Sequence, residues 1–384
     1  GPMNEFDDIR PYYDSEVPDV LARLAIDREF IDTLMSIKYR RLGRWMPWLM
    51  RPLISRVLRK AFAKIDNVRD FQEAVGASMA NLLRNIGTEV TVSGLEKLDP
   101  DSAYLYISNH RDIAMDPAFV NFVLYHNGRD TVRIAIGDNL LTKDFTSDLM
   151  RINKSFIVKR SPVGRREKLT ALVQLSRYIR FSLLEERASV WIAQREGRAK
   201  DGVDKTEKAL LKMLSLSKTK EQSFAEAIRE LKVVPVAISY ELDPLDEAKA
   251  KELYTRQTAG AYEKEAHEDL LSIYQGIVGR KGAVHVTFGD PLDGSIDTPE
   301  AMAEAVDRQI IGNYHLQPTN LIAFQKLEGD SPQLAHWKAQ HPCDWARETR
   351  AFEGRILAMP EAYREIVLDM YANPVRSKLK LGLV

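Results

Sequence analysis

Residues 103–117 read Ala103-Tyr-Leu-Tyr-Ile-Ser-Asn-His110-Arg-Asp-Ile-Ala-Met-Asp116-Pro117. The apolar and aromatic run from Ala103 to Ile107 reads as a short buried strand. It stops abruptly at Asn109-His110. Asp116 stands in an N-cap position and Pro117 in a first helical turn, which predicts a helix over 117–125. Strand, polar loop and helix in that order make a βα step.

The same step recurs on both sides. Strands are expected at Val90–Val92, Val132–Ile136, Ser155–Val158, Ser189–Ala193, Val233–Tyr240 and Ala283–Phe288. Between them lie helical stretches at Arg165–Glu186, Thr206–Leu216 and Ser223–Leu231. Before them, Asp66–Ile86 repeats apolar residues at Phe71, Val75, Met79, Leu82 and Ile86, three or four apart, with Gly87 as a C-cap. Short strands alternating with helices predict an α/β fold with a mostly parallel sheet. Residues 4–20 read as irregular. Leu21 to Arg59 reads as helical, interrupted at Pro47 and Pro52. From Pro299 onward the chain reads as helix with breaks at Pro318, Pro332, Pro342 and Pro360. The expected division is a helical, basic region over 3–65, an α/β core over 66–295 and a helical extension over 296–384.

The 384 residues are 45% hydrophobic, enough for a sizeable core. Gly1-Pro2 ahead of Met3 reads as a cleavage remnant, and the acidic residues that follow do not resemble a secretory signal. No run approaches the roughly 20 apolar residues of a membrane span. The single cysteine, Cys343, excludes an internal disulfide and fits a reducing cytoplasm. A formal net charge of zero hides an asymmetry. Residues 37–65 hold nine Lys or Arg (Lys38, Arg40, Arg41, Arg44, Arg51, Arg56, Arg59, Lys60 and Lys64) and no Asp or Glu. Trp45, Trp48, Leu49, Leu53, Val57 and other apolar residues are interleaved with them. That combination suits a segment lying on anionic lipid, hence a peripheral position on the cytoplasmic face of a membrane. No base-reading motif accompanies the charge, so nucleic acid is not expected as a partner.

His110 sits where a strand gives way to a loop, the usual ligand position of open α/β sheets. A histidine oriented by a carboxylate is a general base able to activate a hydroxyl or amine. Asp116 and Asp112 are both within reach in sequence, and Asp116 is the preferred partner because it precedes Pro117 at the helix entry. The string His-Arg-Asp also occurs in kinase catalytic loops, but the Asn needed five residues after the Asp is replaced here by Pro117. A Gly-rich phosphate loop and a Gly-x-Ser-x-Gly elbow are both missing, and the remaining histidines have no metal-ligand spacing. Neither a metal nor a bound cofactor is expected.

Four segments in this order resemble the motifs of the glycerolipid acyltransferases, which include the glycerol-3-phosphate and lysophosphatidic acid acyltransferases. Asn109-His110 followed by Asp116 is similar to the family's first motif, with five intervening residues where the family has four. Ser155-Phe-Ile-Val-Lys159-Arg160 is similar to the second, an apolar strand ending in Arg, with Arg160 at the matching position. Trp191-Ile-Ala-Gln-Arg-Glu196-Gly197-Arg198 is similar to the third: Glu196 and Gly197 match, Gln194-Arg195 replace Phe-Pro, and Arg198 comes one residue before the family Arg, where Ala199 stands. Val233-Val-Pro235-Val-Ala-Ile238 is similar to the fourth. The resemblance covers about residues 70–292.

The resemblance implies direct transfer of a fatty acyl group from acyl-CoA or acyl carrier protein, as co-substrate, to a hydroxyl of glycerol-3-phosphate or a lysophospholipid. His110 would be the base and Asp116 (or Asp112) its partner. Lys159, Arg160 and Arg198 would hold the anionic acceptor, with Glu196 and Gly197 beside it. Two other readings stay open at this point. One is a different, amino-containing or lysolipid acceptor; the other is an inactive scaffold that only binds membranes.

Overall fold

The structure is a computed structural model that describes residues 5–38, 47–265 and 267–383. The chain divides into two compact units. One comprises Gly1–Asn81 with Arg133–Gln174, the other Leu82–Val132 with Leu175–Val384. The strands are β1 (Glu89–Ser93), β2 (Leu105–Ser108), β3 (Arg133–Gly137), β4 (Ser155–Val158), β5 (Val190–Ala193), β6 (Val233–Tyr240) and β7 (Ala283–Phe288).

The first unit holds the parallel pair β3–β4, in register from Ile134↔Ser155 to Gly137↔Val158. Its N-terminal part is more ordered than the sequence implies. A 3-10 turn over Asp14–Glu16 leads into a helix over Val17–Ala25, although this stretch reads as irregular. The polar residues there lie outward, while Val17, Val20, Leu21 and Leu24 pack with Phe30, Phe71, Phe145 and Ile152. Asp148 braces the cluster: it accepts from Tyr12 Oη at 2.6 Å and from Arg23 Nη2 at 2.8 Å.

Helices follow over Arg28–Lys38 and Pro47–Phe62. Pro47 opens its helix, where a missing N–H costs nothing. Pro52 lies inside the same helix instead of breaking it. It removes one early hydrogen bond, and Ile54 still packs against Ile31 and Met35. The opposite face of this helix is exposed and apolar: Trp48 is 68% and Val57 66% accessible, with Leu49 and Leu53 between them.

In the second unit five strands run in the order β1-β7-β6-β2-β5. Neighbours are parallel except β6 and β7. All positions of β2 and β6 are buried, as continuous apolar runs predict for strands covered on both faces. Pro235 is tolerated in β6 because the β7 ladder starts one residue later, at Val236↔Phe288. The helix Pro299–Asn313 packs on β6, and Pro318–Glu328 packs against Glu361–Lys380. The α/β class and the mostly parallel pairing expected from the sequence are what the structure shows.

Candidate active site

The site is built on the end of β2. Asn109, the residue after the strand, is fully buried and stitched to β6: its side chain accepts from Ile238 N at 2.8 Å and donates to Ile238 O at 2.9 Å. The chain then turns, and His110 Nδ1 meets Asp116 Oδ2 at 2.8 Å. The same oxygen accepts from Arg111 N at 2.7 Å and Asp112 N at 3.1 Å. The other carboxylate oxygen accepts from Tyr240 Oη at 2.6 Å. Asp116 is therefore buried with four donors converging on its two oxygens.

The two acidic residues have exchanged one expected role. Sequence places Asp116 in the N-cap; in the structure it is the second residue of the helix Met115–His126. Asp112 takes the capping part, with Oδ1 accepting from Ala114 N at 3.2 Å and Met115 N at 2.9 Å. The extra residue between His110 and Asp116 is absorbed by this turn, so the helix still presents a carboxylate to the imidazole. Asp112 Oδ2 is buried without a hydrogen-bond partner, and burial, followed by the charge of Asp116, pushes the Asp112 pKa up to about 6. Close packing confines it further: a Cβ on Gly276 would lie 2.3 Å from Asp112 Oδ2.

His110 has 13% of its side chain exposed. Trp191 stands edge-on to it with ring centroids 6.1 Å apart, and is itself held by an indole N–H bond to Ser108 Oγ at 3.0 Å. Burial lowers the His110 pKa; Asp116 opposes that, and Arg198 and Lys249 reinforce it. The imidazole is thus neutral at neutral pH, with Nδ1 occupied by Asp116. Its Nε2 has no hydrogen-bond partner among the described residues and is the nitrogen able to take a proton.

The segment after β5 curls over this loop. Gly197 has φ +74°, a left-handed conformation that suits glycine. Ala199 is buried and its N–H donates to His110 O at 2.8 Å. The Ala199 position is thus packed against the loop, and the cation of this segment stands next to it, at Arg198. Arg198 is only 7% exposed, yet among the described residues it has neither a carboxylate nor a hydrogen-bond partner. Glu196 is exposed, and its N–H donates to Glu207 Oε1 at 2.8 Å. Lys200, next to Arg198, has its pKa lowered to about 7, first by burial and then by Arg198.

Several supporting residues escape the sequence motifs. Arg111 grips Asp204 with two nitrogens, at 2.9 and 2.8 Å. Lys249 Nζ donates to Arg111 O at 2.6 Å and to Asp243 at 2.6 Å. With Tyr240 they pin the His110 loop from three later segments. Only Tyr240 carried a signal, as a polar aromatic residue at the end of a buried strand. Lys159 and Arg160 belong to the first unit. Lys159 is ion-paired with Asp8, and the Arg160 N–H donates to Asp138 Oδ1 at 3.0 Å. Among the described residues no group of three or more His, Cys, Asp or Glu is placed to hold a metal ion.

Residues 89–239, which span β1 to β6 and contain the His110–Asp116 pair, match the family model described as Acyltransferase. That region is similar to the acyltransferases, and the enzyme class expected from the sequence, transfer of acyl groups, holds with the match. Among solved structures, the 1-acyl-sn-glycerophosphate (LPA) acyltransferase PlsC from Thermotoga maritima is similar at 14% identity, over 76% of this chain and 91% of that one, with a TM-score of 0.38. No curated protein matches the chain. Within the matched region, the His110 loop and the Glu196–Arg198 turn lie in the same unit, on adjacent strands β2 and β5.

Proposed function

We propose that this acyltransferase moves a fatty acyl group from an acyl-CoA or acyl carrier protein thioester to a hydroxyl of glycerol-3-phosphate or a lysophospholipid. The observation that carries the acceptor class is Arg198: a buried guanidinium without a counter-ion, close enough to His110 to depress its pKa. A buried unpaired cation is costly unless a ligand neutralises it, and a phosphate-bearing acceptor does so while placing its hydroxyl near the base. His110 Nε2 takes the hydroxyl proton as the oxygen attacks the thioester carbonyl carbon. The tetrahedral intermediate then collapses, the C–S bond breaks, and the proton passes from His110 to the departing thiolate. Asp116 stabilises the imidazolium formed between these steps. For Lys159 and Arg160 the acceptor-binding reading rests on the sequence motif alone.

The test is thiol release from acyl-CoA and acyl carrier protein thioesters against a panel of acceptors. Thiol release should depend on a glycerol-phosphate or lysophospholipid acceptor, and His110→Ala should lose at least about 100-fold, the lower range of general-base contributions. Turnover within a few-fold of wild type in that variant would remove His110 from the mechanism.

We also propose that the helix Pro47–Phe62 rests on an anionic membrane surface, peripherally and from the cytoplasmic side. Its exposed stripe of Trp48, Leu49, Leu53 and Val57 runs beside exposed Arg56, Arg59 and Lys60, with Lys64 just beyond. At about 1 kcal/mol per cation near such a surface, four supply about 4 kcal/mol. Arg51 is not among them, because Asp32 binds it at 2.8 Å. Arg40, Arg41, Arg44 and Trp45 lie outside the described residues. No described helix is long and apolar enough to cross a membrane. Sedimentation with anionic vesicles should fall sharply in Leu53→Glu/Val57→Glu and with added salt. Equal binding to zwitterionic vesicles at high salt would contradict the electrostatic part.

A further inference from the structure

Away from the His110 loop, the second unit contains a cleft of about 360 Å³ whose described lining includes no acidic residue. Three imidazoles line it in a row: His285 and His315 have ring centroids 4.6 Å apart, and His315 and His341 5.5 Å. Lys378 forms another part of the wall. Its ammonium donates to Ile311 O at 2.8 Å and Gly312 O at 2.7 Å, which uses two of its three hydrogens. The cleft is open to solvent, and His315 in its lining is exposed.

We propose that this cleft binds the phosphate group of a small molecule. Burial is the first cause that lowers the His315 pKa, and the charges that add to it are those of His285, His341 and Lys378, all bases. Each opposes a proton on His315, so the empty cleft stays neutral on its imidazoles. A bound oxyanion reverses that balance, because every base then attracts it and the imidazoles gain protons as it binds. His285 can accept a proton without losing a contact: Thr91 Oγ1 lies 2.6 Å from one ring nitrogen and Ser93 Oγ 2.7 Å from the other, and hydroxyls donate or accept. The Gln340 amide nitrogen is engaged with His336 at 3.3 Å, while the amide of Asn313 and the hydroxyl of Thr287 add neutral hydrogen-bonding groups to the lining. That is more donors than a carboxylate has oxygens to use, and it suits a phosphate. Buried Trp337 and Leu316 offer an apolar surface to the rest of the molecule. A metal ion is the poorer occupant, because both His285 nitrogens are engaged and no described group has metal-ligand placement.

The test uses the full chain carrying Arg198→Met, so that phosphate held beside His110 is not counted. Inorganic phosphate is titrated calorimetrically at pH 6 and pH 8, and the histidine Cε1–H resonances are followed by NMR. Expected are binding at least ten-fold tighter at pH 6, proton uptake, and upward-moving titrations of His285, His315 and His341. His315→Gln/His341→Gln, with an unchanged circular dichroism spectrum, should weaken binding at least ten-fold. Acetate binding as tightly as phosphate, binding indifferent to pH, or a double variant that binds like its parent would each overturn the proposal.

Discussion

Asp116→Asn isolates charge from shape. In the structure one carboxylate oxygen accepts from His110, Arg111 N and Asp112 N, while the other accepts from Tyr240 Oη. An asparagine can keep its oxygen toward the three N–H groups and turn its NH₂ toward Tyr240, whose hydroxyl can accept. The loop should keep its geometry and lose only the negative charge. Opposite charges about 4 Å apart at an effective dielectric of about 20 attract by about 4 kcal/mol. If the imidazolium forms fully in the transition state, losing that attraction slows turnover by about 1,000-fold. The measurement is kcat and KM for thiol release over pH 5 to 8.5. KM should hardly move, since Asp116 is buried beneath the histidine. The acid limb should move to lower pH, because Asp116 is the group that raises the His110 pKa against burial. A loss under about five-fold, or an acid limb displaced upward, would refute the assignment of Asp116 as the charge that supports the base.

Gly276→Ala should destabilise the protein by about 1–3 kcal/mol in urea denaturation, the usual cost of overpacking, because its Cβ would meet Asp112 Oδ2 at 2.3 Å. Activity should fall with it through the displaced helix cap, and unchanged stability would contradict the packing described. Burial lowers the pKa values of His110, His285, His315 and His341 in the folded state. The unfolded chain, with histidines near 6.5, binds more protons below that pH, so this contribution is present above about pH 6.5 and is lost as pH falls through the lower folded values. Urea midpoints measured from pH 7.5 down to 5 should decline, and a flat profile would count against it.

The order of strands was legible because each one is a short apolar run that ends in polar residues, and β2, β5 and β6 carry that signal most clearly. The His110 motif was legible for the same reason: its pieces are local. Asp116 was the preferred partner of His110 and is the one that meets it, but the capping role of Asp112 was not legible, since only the turn geometry decides which carboxylate caps the helix. Tyr240 is 124 positions from Asp116, and Lys249 is 138 from Arg111. No periodicity reports contacts at such separations. Arg198 could be named from sequence, but its burial without a counter-ion depends on Ala199 packing under His110. The start of the helix at Val17 was missed because polar and acidic residues dominate the composition of 4–20, whereas the inward-facing Val17 and Val20 decide the structure.

The bonds that pin the His110 loop reach forward in the chain: Asn109 to Ile238, Arg111 to Asp204, Asp116 to Tyr240, and Arg111 O to Lys249. A polypeptide emerging from the ribosome has the histidine long before it has these partners. Until about residue 249 has been made, the loop lacks its last tether. His110 and Asp116 are made within six residues of each other, but the loop that holds them is fully braced only when the last of the long-range contacts closes.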